Sequence, residues 1–167
     1  DLAVCLHIGS SGRLIRSSDD APPCSVLPHM GANSMVACTD WLLTGVLDRH
    51  PGLRVVFSEG GAGWVPYLLE QAEKTFANPN FADQIRSTRS PREVFAEQMT
   101  VCMMSDDVAL ALLDVIGVDN LTWESDYPHE DGYFPHSRER LESSMASVTA
   151  EQARRIAETN ARRVFRL

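Results

Sequence analysis

Four short apolar segments, each followed by a longer segment with helical spacing, constrain the fold of this chain more than any other feature. The apolar segments lie at 2–8, 53–58, 99–103 and 121–125. Continuous apolar runs of this length are typical of strands buried on both faces. Amphipathic helices are predicted between and after them, at about 33–49, 64–76, 105–117 and 149–165. The alternation predicts an α/β fold with parallel strands joined by right-handed crossovers.

Two architectures fit this alternation. The four β/α units could form a small open sheet, or they could be half of an eight-stranded (β/α)8 barrel, which needs about 250 residues. The 167-residue chain begins within the first apolar run, at Asp1-Leu2, without an initiator Met. We therefore expect that an N-terminal part is missing. In both architectures the functional groups gather just past the carboxyl ends of the strands.

The composition argues against several classes of partner. Fifteen Lys and Arg against 23 Asp and Glu give a net charge of −8, whereas nucleic-acid and anionic-membrane surfaces need a basic excess. No run of about 18 uncharged apolar residues is present, so no membrane span is predicted. The four cysteines form no C-x-x-C pair, which argues against a zinc ribbon. We expect a cytoplasmic protein with free, buried thiols.

Ionisable side chains follow three of the four predicted strands. His7 ends the first strand, Glu59 ends the second, and Asp126 ends the fourth with His129 close behind. Because these ends meet at one edge of a parallel sheet, the residues form a candidate metal or acid–base site. Histidine and carboxylate together suit zinc, manganese or iron better than magnesium.

Each of these residues also has a simpler interpretation. His7 could be a core histidine bonded to the backbone, Glu59 could cap the next helix, and Asp126 could belong to an Asx turn. His129 could be part of a solvated charge cluster. The glycine-rich turn at 60–63 lacks the spacing of the phosphate-binding fingerprints and is interpreted as a tight strand-to-helix connection. Ionisable residues nevertheless follow three different strands, and this coincidence favours a metal or acid–base site over the simpler interpretations.

Several stretches, in the same order along nearly the whole chain, carry a resemblance to a known family. They are Leu6-His7-Ile8-Gly9-Ser10, residues 50–66 with the sequence HPGLRVVFSEGGAGWVP, Glu124-Ser125-Asp126-Tyr127-Pro128-His129, and Asn160-Ala161-Arg162-Arg163-Val164-Phe165. They resemble the amidohydrolase-related family that includes the aminocarboxymuconate-semialdehyde and hydroxybenzoate-type decarboxylases. The resemblance implies that residues 1–167 are a single partial domain, the C-terminal half of a metal-dependent (β/α)8-barrel hydrolase. The chain then corresponds to strands five to eight, with the N-terminal half missing.

The resemblance also implies roles for the residues at the strand ends. His7 and Asp126 match metal ligands, and Asp126 is counted as catalytic as well. Glu59 falls where many members have a histidine that activates water or protonates substrate, and His129 matches a position near the substrate. One divalent transition metal is implied, with zinc as the first candidate and manganese or iron as alternatives. The family's first-strand His-x-His or Glu-x-His pair has no counterpart here, so we expect this stretch alone neither to bind metal tightly nor to turn over.

Four functions follow from these residues. The first is metal-dependent hydrolysis of a small carboxylated or cyclic compound, with Glu59 as general base or acid. The second is metal-dependent, non-oxidative decarboxylation. The others are a metal-free glycosidase-like pair of Glu59 and Asp126, and a non-catalytic α/β module. We expect a small-molecule substrate and no nucleic-acid or membrane partner, and a homodimer is left open.

Overall fold

Four parallel strands form one sheet in the computed structural model, which describes residues 2–12, 15–130 and 132–167. The strands are β1 (Leu2–His7), β2 (Leu53–Ser58), β3 (Met99–Met103) and β4 (Leu121–Trp123). Their order in the sheet follows their order in the sequence. Most of the helices pack their apolar residues against one face of the sheet, as in the wall of a barrel. The predicted parallel α/β fold is confirmed.

Nine α-helices lie in the part of the chain that the structure describes. They are α1 (Met30–Leu43), α2 (Val46–Arg49), α3 (Val65–Phe76), α4 (Pro91–Gln98), α5 (Asp107–Ala111), α6 (Leu113–Ile116), α7 (Ser137–Ser144), α8 (Ala150–Arg154) and α9 (Asn160–Phe165). A π-helical turn, Arg155–Thr159, joins the last two. No helix among the described residues has the length and apolar character that a membrane crossing requires.

The two faces of the sheet carry different sets of side chains, because successive residues of a strand alternate in direction. The face toward the helices contributes the main core, and its strand residues include Val55, Phe57, Met99, Val101 and Leu121. The opposite face carries a smaller cluster of Val56, Cys102 and Val164 of α9, with Ala3 packed against it. The candidate site lies at the carboxyl ends of the strands, on the side of this second face.

Two of the predicted helices are interrupted. The helix predicted over 33–49 stops after α1, because Gly45 has a left-handed φ of 67° and a Cβ there would lie 2.5 Å from the carbonyl oxygen of Arg86. The helix predicted over 105–117 breaks at Leu112, whose φ of −111° and ψ of 24° are not helical. In the first case the tertiary contact, which the local sequence does not reveal, decides the break.

The prediction that β1 is buried on both faces is wrong. Within the described residues β1 pairs only with β2, from Leu2 opposite Leu53 to His7 opposite Ser58, so it is one of the two edge strands of the sheet. Cys5 and His7 lie opposite Val56 and Ser58, and both are exposed. Cys24 is exposed as well, so the prediction of buried thiols holds only for the other two cysteines, 38 and 102.

Buried asparagines hold the amino ends of the last two strands. The Asn120 side-chain amide donates to the carbonyl oxygens of Phe95, Ala96 and Met99 at distances of 2.8–3.0 Å. Asn160 donates in the same way to two carbonyl oxygens, those of residues 118 and 121. Both side chains are almost fully buried. They satisfy backbone acceptors that would otherwise be desolvated without a partner.

A carboxylate fastens the segment before α4 to the helical layer. Asp48 of α2 accepts hydrogen bonds from the Thr88 amide at 2.7 Å and from Nε of Arg89 at 2.8 Å. Burial alone would raise the pKa of Asp48, but these hydrogen bonds and the charge of Arg89 lower it below its ordinary value. The segment is therefore held away from the carboxyl ends of the strands.

Replacing Asn120 by alanine tests the role of the buried amides. We expect Asn120→Ala to lower the free energy of unfolding by about 2–3 kcal/mol, because buried carbonyl oxygens lose their donor. Asn80→Ala, at an exposed position, is the matched control and should change it by less than about 0.5 kcal/mol. Denaturant titration measures both, and equal effects of the two substitutions would contradict this role.

The Asp48 contacts predict a pH-dependent contribution to stability. A carboxyl group whose pKa is lowered by folding stabilises the native state above its ordinary pKa of 3.8 and loses that contribution as pH falls through the folded value. Wild type should therefore be more stable than Asp48→Asn at pH 7, and the difference should shrink as pH falls below 3.8. Unfolding curves across this range test the prediction, with exposed Asp114→Asn as the control. A difference that is constant with pH would rule it out.

Candidate metal and catalytic site

The strand ends bring together the residues that the sequence singled out. Glu59, Asp126 and His129 each offer a donor atom within 4.8 Å of the others. His7 joins this group through Glu59, since His7 Nε2 lies 2.8 Å from Glu59 Oε1. All four predicted site residues thus lie at the same edge of the sheet. Their roles remain predictions.

An unusual backbone conformation directs Glu59 toward His7. By strand alternation Glu59 would follow Phe57 onto the face that packs against the helices. Its φ of 62° instead lies in the left-handed region, and the side chain turns to His7. Such a conformation costs a non-glycine residue about 1–3 kcal/mol and persists only where neighbouring contacts enforce it.

One of these contacts comes from the turn that follows Glu59. The carboxylate of Asp106, just past β3, accepts hydrogen bonds from the amides of Ala62 and Gly63 at 2.8 and 2.7 Å. The same carboxylate caps α5 through the Ala109 amide at 2.9 Å. The glycine-rich turn is therefore fastened to its neighbour by a protein carboxylate, which agrees with its interpretation as a tight connection.

A second contact involves Glu124, which the sequence analysis did not single out as a site residue. Its Oε1 accepts a hydrogen bond from the Glu59 amide at 2.7 Å. Strand alternation could have found it, because Thr122 and Glu124 are polar while Leu121 and Trp123 are apolar. That pattern places Glu124 on the same face as Val56 and Cys102.

Asp126 and His129 form a closed turn after β4. Asp126 also has a left-handed φ, of 52°, and only 5% of its side chain is exposed. Its Oδ1 lies 2.7 Å from His129 Nδ1, and its carbonyl oxygen accepts the His129 amide at 2.9 Å. The His129 side chain is 59% exposed. The turn therefore buries the carboxylate at the site and leaves the imidazole at its entrance.

The proximity of the carboxylates perturbs their protonation. Burial raises the pKa of Glu59 above its ordinary value, and the hydrogen bond to Asp126 and its negative charge raise it further, against a lowering effect of His7. The pKa of Glu124 is raised to about 7, first by burial and then by the charges of Glu59 and Asp126, although the hydrogen bond from the Glu59 amide opposes the change. The carboxyl group of Glu124 can therefore hold a proton near neutral pH.

A cavity of about 270 Å³ opens beside these groups. Glu59 and Glu124 lie on one side of it, and Leu27, Pro28 and Tyr133 are among the residues that line the rest. The sequence of residues 13–31, which holds three prolines, predicts a long loop, and part of this segment borders the site. Pro23–His29 forms a 3₁₀ helix that leads into α1, while residues 13 and 14 lie outside the described part. The volume is just below the range of about 300–1,000 Å³ typical of ligand pockets, which suits a small substrate.

The donor atoms at the site fit a divalent transition metal. A donor atom of His129 lies within 4.8 Å of donor atoms of Glu59 and Asp126, and His7 Nε2 lies 2.8 Å from Glu59. Mixed nitrogen and oxygen donors suit zinc, manganese and iron. A cation here would also offset the negative charge of neighbouring carboxylates.

Comparisons with known proteins find a family model and curated relatives that match this chain. A family model described as amidohydrolase matches residues 1–167. A curated relative, the gamma-resorcylate decarboxylase of Rhodococcus jostii (strain RHA1), is 26% identical over 129 residues, which are 75% of this chain and 38% of that protein.

Solved structures share the fold at low sequence identity. An amidohydrolase from Mycobacterium avium subsp. paratuberculosis K-10 has a TM-score of 0.78 at 24% identity, covering 97% of this chain and 42% of that one. A dihydroxybenzoic acid decarboxylase from Polaromonas sp. JS666, determined with bound manganese, has a TM-score of 0.67 at 18% identity, covering 83% and 41%. The chain spans about two fifths of the length of the proteins that it matches.

These matches confirm the predicted partial (β/α)8 barrel and the resemblance on which it was based. The family model extends over every residue, including the strand ends that carry His7, Glu59 and Asp126. The chain belongs to the amidohydrolase family.

Proposed function

We propose that the protein is a metal-dependent, non-oxidative decarboxylase of a small aromatic carboxylic acid. The observation that carries the proposal is the convergence of Glu59, Asp126 and His129 within 4.8 Å, with Glu59 also lining the cavity. The names of the relatives, gamma-resorcylate decarboxylase and dihydroxybenzoic acid decarboxylase, support the choice of reaction. Hydrolysis is the first expectation from the sequence, and the names of these relatives favour decarboxylation instead.

His7 and Asp126 are the proposed ligands of one divalent metal. Manganese in the Polaromonas structure supports a divalent transition ion, and zinc remains the alternative that the sequence analysis put first. When bound, such an ion would supply Lewis-acid stabilisation of negatively charged substrate oxygens. Asp126 is suited to this role because its carboxylate is almost buried, so that a cation would replace its lost hydration.

Glu59 is the proposed acid. Decarboxylation breaks the bond between the ring carbon and the carboxylate, leaves the electron pair on the ring carbon and releases CO2. That carbon then takes a proton, which a neutral Glu59 carboxyl can donate. Burial and Asp126 raise the pKa of Glu59 and so increase the neutral fraction, and water returns the proton after the product leaves.

His129 is proposed to contact the substrate. Its imidazole is exposed at the entrance of the site, and its hydrogen bond to Asp126 fixes the orientation of the ring. A small anionic substrate could accept a hydrogen bond from this ring while its ring packs in the cavity. The overall negative charge of the protein does not help to attract such a substrate, so local donors must do so.

Hydrolysis is the second candidate, and Glu59 itself favours it. A carboxylate in place of the histidine that the family resemblance implies could act as a general base toward water.

Three expectations from the sequence also belong to the proposal: a partial barrel domain over residues 1–167, a cytoplasmic location, and an open possibility of a homodimer.

Release of CO2 from gamma-resorcylate tests the proposed reaction. In a protein that carries the complete barrel, with Mn²⁺ or Zn²⁺ supplied, we expect the wild-type sequence to release CO2 and Glu59→Gln to lower kcat about 10²- to 10⁴-fold, since the amide cannot donate the proton as an acid. His50→Ala is the control, because His50 lies at the opposite end of the sheet, before β2. Its kcat should equal that of wild type.

The same assay distinguishes the alternatives. Hydrolysis of carboxylated lactones or cyclic amides without CO2 release from aromatic acids would replace decarboxylation by hydrolysis. Full CO2 release by Glu59→Gln would contradict the role of Glu59 as the acid.

A further inference from the structure

We infer that Glu124 is a positioning residue that holds Glu59 in its functional orientation. The inference rests on the proposed role of Glu59, and it gives a role to a residue that the proposed mechanism does not use. It is carried by a hydrogen bond between two strands that are not neighbours in the sheet.

The contact crosses the end of the intervening strand. Glu124 extends β4, and its amide donates to the carbonyl oxygen of Met103 in β3 at 3.0 Å. Its side chain then passes over the end of β3 to β2, where Oε1 accepts the Glu59 amide at 2.7 Å. The contact therefore joins the carboxyl ends of β2 and β4 directly.

The hydrogen bond from the Glu59 amide to Glu124 holds a residue whose backbone conformation is strained. Glu59 has a φ of 62°, and in an ordinary extended conformation its side chain would turn away from His7. Asp106 fastens the turn after Glu59 through the amides of Ala62 and Gly63, whereas Glu124 fastens the amide of Glu59 itself. The two carboxylates together fix the backbone from both sides.

This role needs the oxygen acceptor of Glu124 and does not need its charge. Glutamine retains an acceptor oxygen at the same distance from the backbone, while leucine has similar size and no acceptor. The pair Glu124→Gln and Glu124→Leu therefore separates positioning from acid–base chemistry by Glu124. Glu130→Gln is the matched control, because Glu130 is an exposed residue of the same loop.

Hydrogen exchange of the Glu59 amide, followed by NMR, is the first readout. Wild type, Glu124→Gln and the control should protect this amide to a similar degree. Glu124→Leu should exchange it about 10- to 100-fold faster, because the hydrogen bond is lost. Cooperative unfolding shows that each variant is folded, and Glu124→Ala replaces leucine if the larger side chain prevents folding.

Kinetics give the second readout. Glu124→Leu should lower kcat by at least about tenfold with KM nearly unchanged, and Glu124→Gln should restore most of kcat. Unchanged Glu59 exchange in Glu124→Leu would overturn the inference, and so would a Gln variant as inactive as the Leu variant. Because amide exchange does not depend on turnover, failure of the proposed decarboxylation would be distinguishable from failure of this inference.

Discussion

Three carboxylates converge at one edge of the sheet, and the repulsion among them is the constraint on which the site depends. Glu59 follows β2, and Glu124 and Asp126 follow β4, and the three carboxylates meet at one site. Burial raises the pKa values of Glu59 and Glu124, and the charges of the neighbouring carboxylates raise them further. His7 and His129 lie within hydrogen-bond distance of Glu59 and Asp126, and the proposed metal would offset part of the negative charge.

The rest of the fold stabilises the positions of these carboxylates. The parallel sheet is packed on one face by a continuous core and is held at its amino ends by buried asparagine amides. At the carboxyl ends, Glu59 and Asp126 adopt left-handed backbone conformations that a flexible loop would relax. Hydrogen bonds from neighbouring strand ends keep them in place. The packed sheet and the left-handed backbone conformations at its carboxyl end together orient the charged side chains of the site.

The sequence was sufficient for the strands and for the edge at which the site lies. Apolar runs identified all four strands, and the residues directly after them, His7, Glu59 and Asp126, do converge. The sequence was not sufficient where a distant contact decides the outcome. The break at Gly45 depends on the backbone of residue 86, and the function of Glu124 depends on a contact 65 residues away. An apolar pattern also does not reveal that β1 lies at an edge of the sheet, where Cys5 is exposed.

The central claim is that the carboxyl edge of the sheet is a divalent-metal site, and calorimetric titration with Mn²⁺ tests it most directly. For a protein that carries the complete barrel, the account predicts about one ion per chain with the wild-type residues and with the exposed control Asp114→Asn. Asp126→Asn should bind at least about tenfold more weakly, because the nearly buried carboxylate is a proposed ligand. Wild-type protein that binds no Mn²⁺ or Zn²⁺, or equal affinity in Asp126→Asn, would contradict the account.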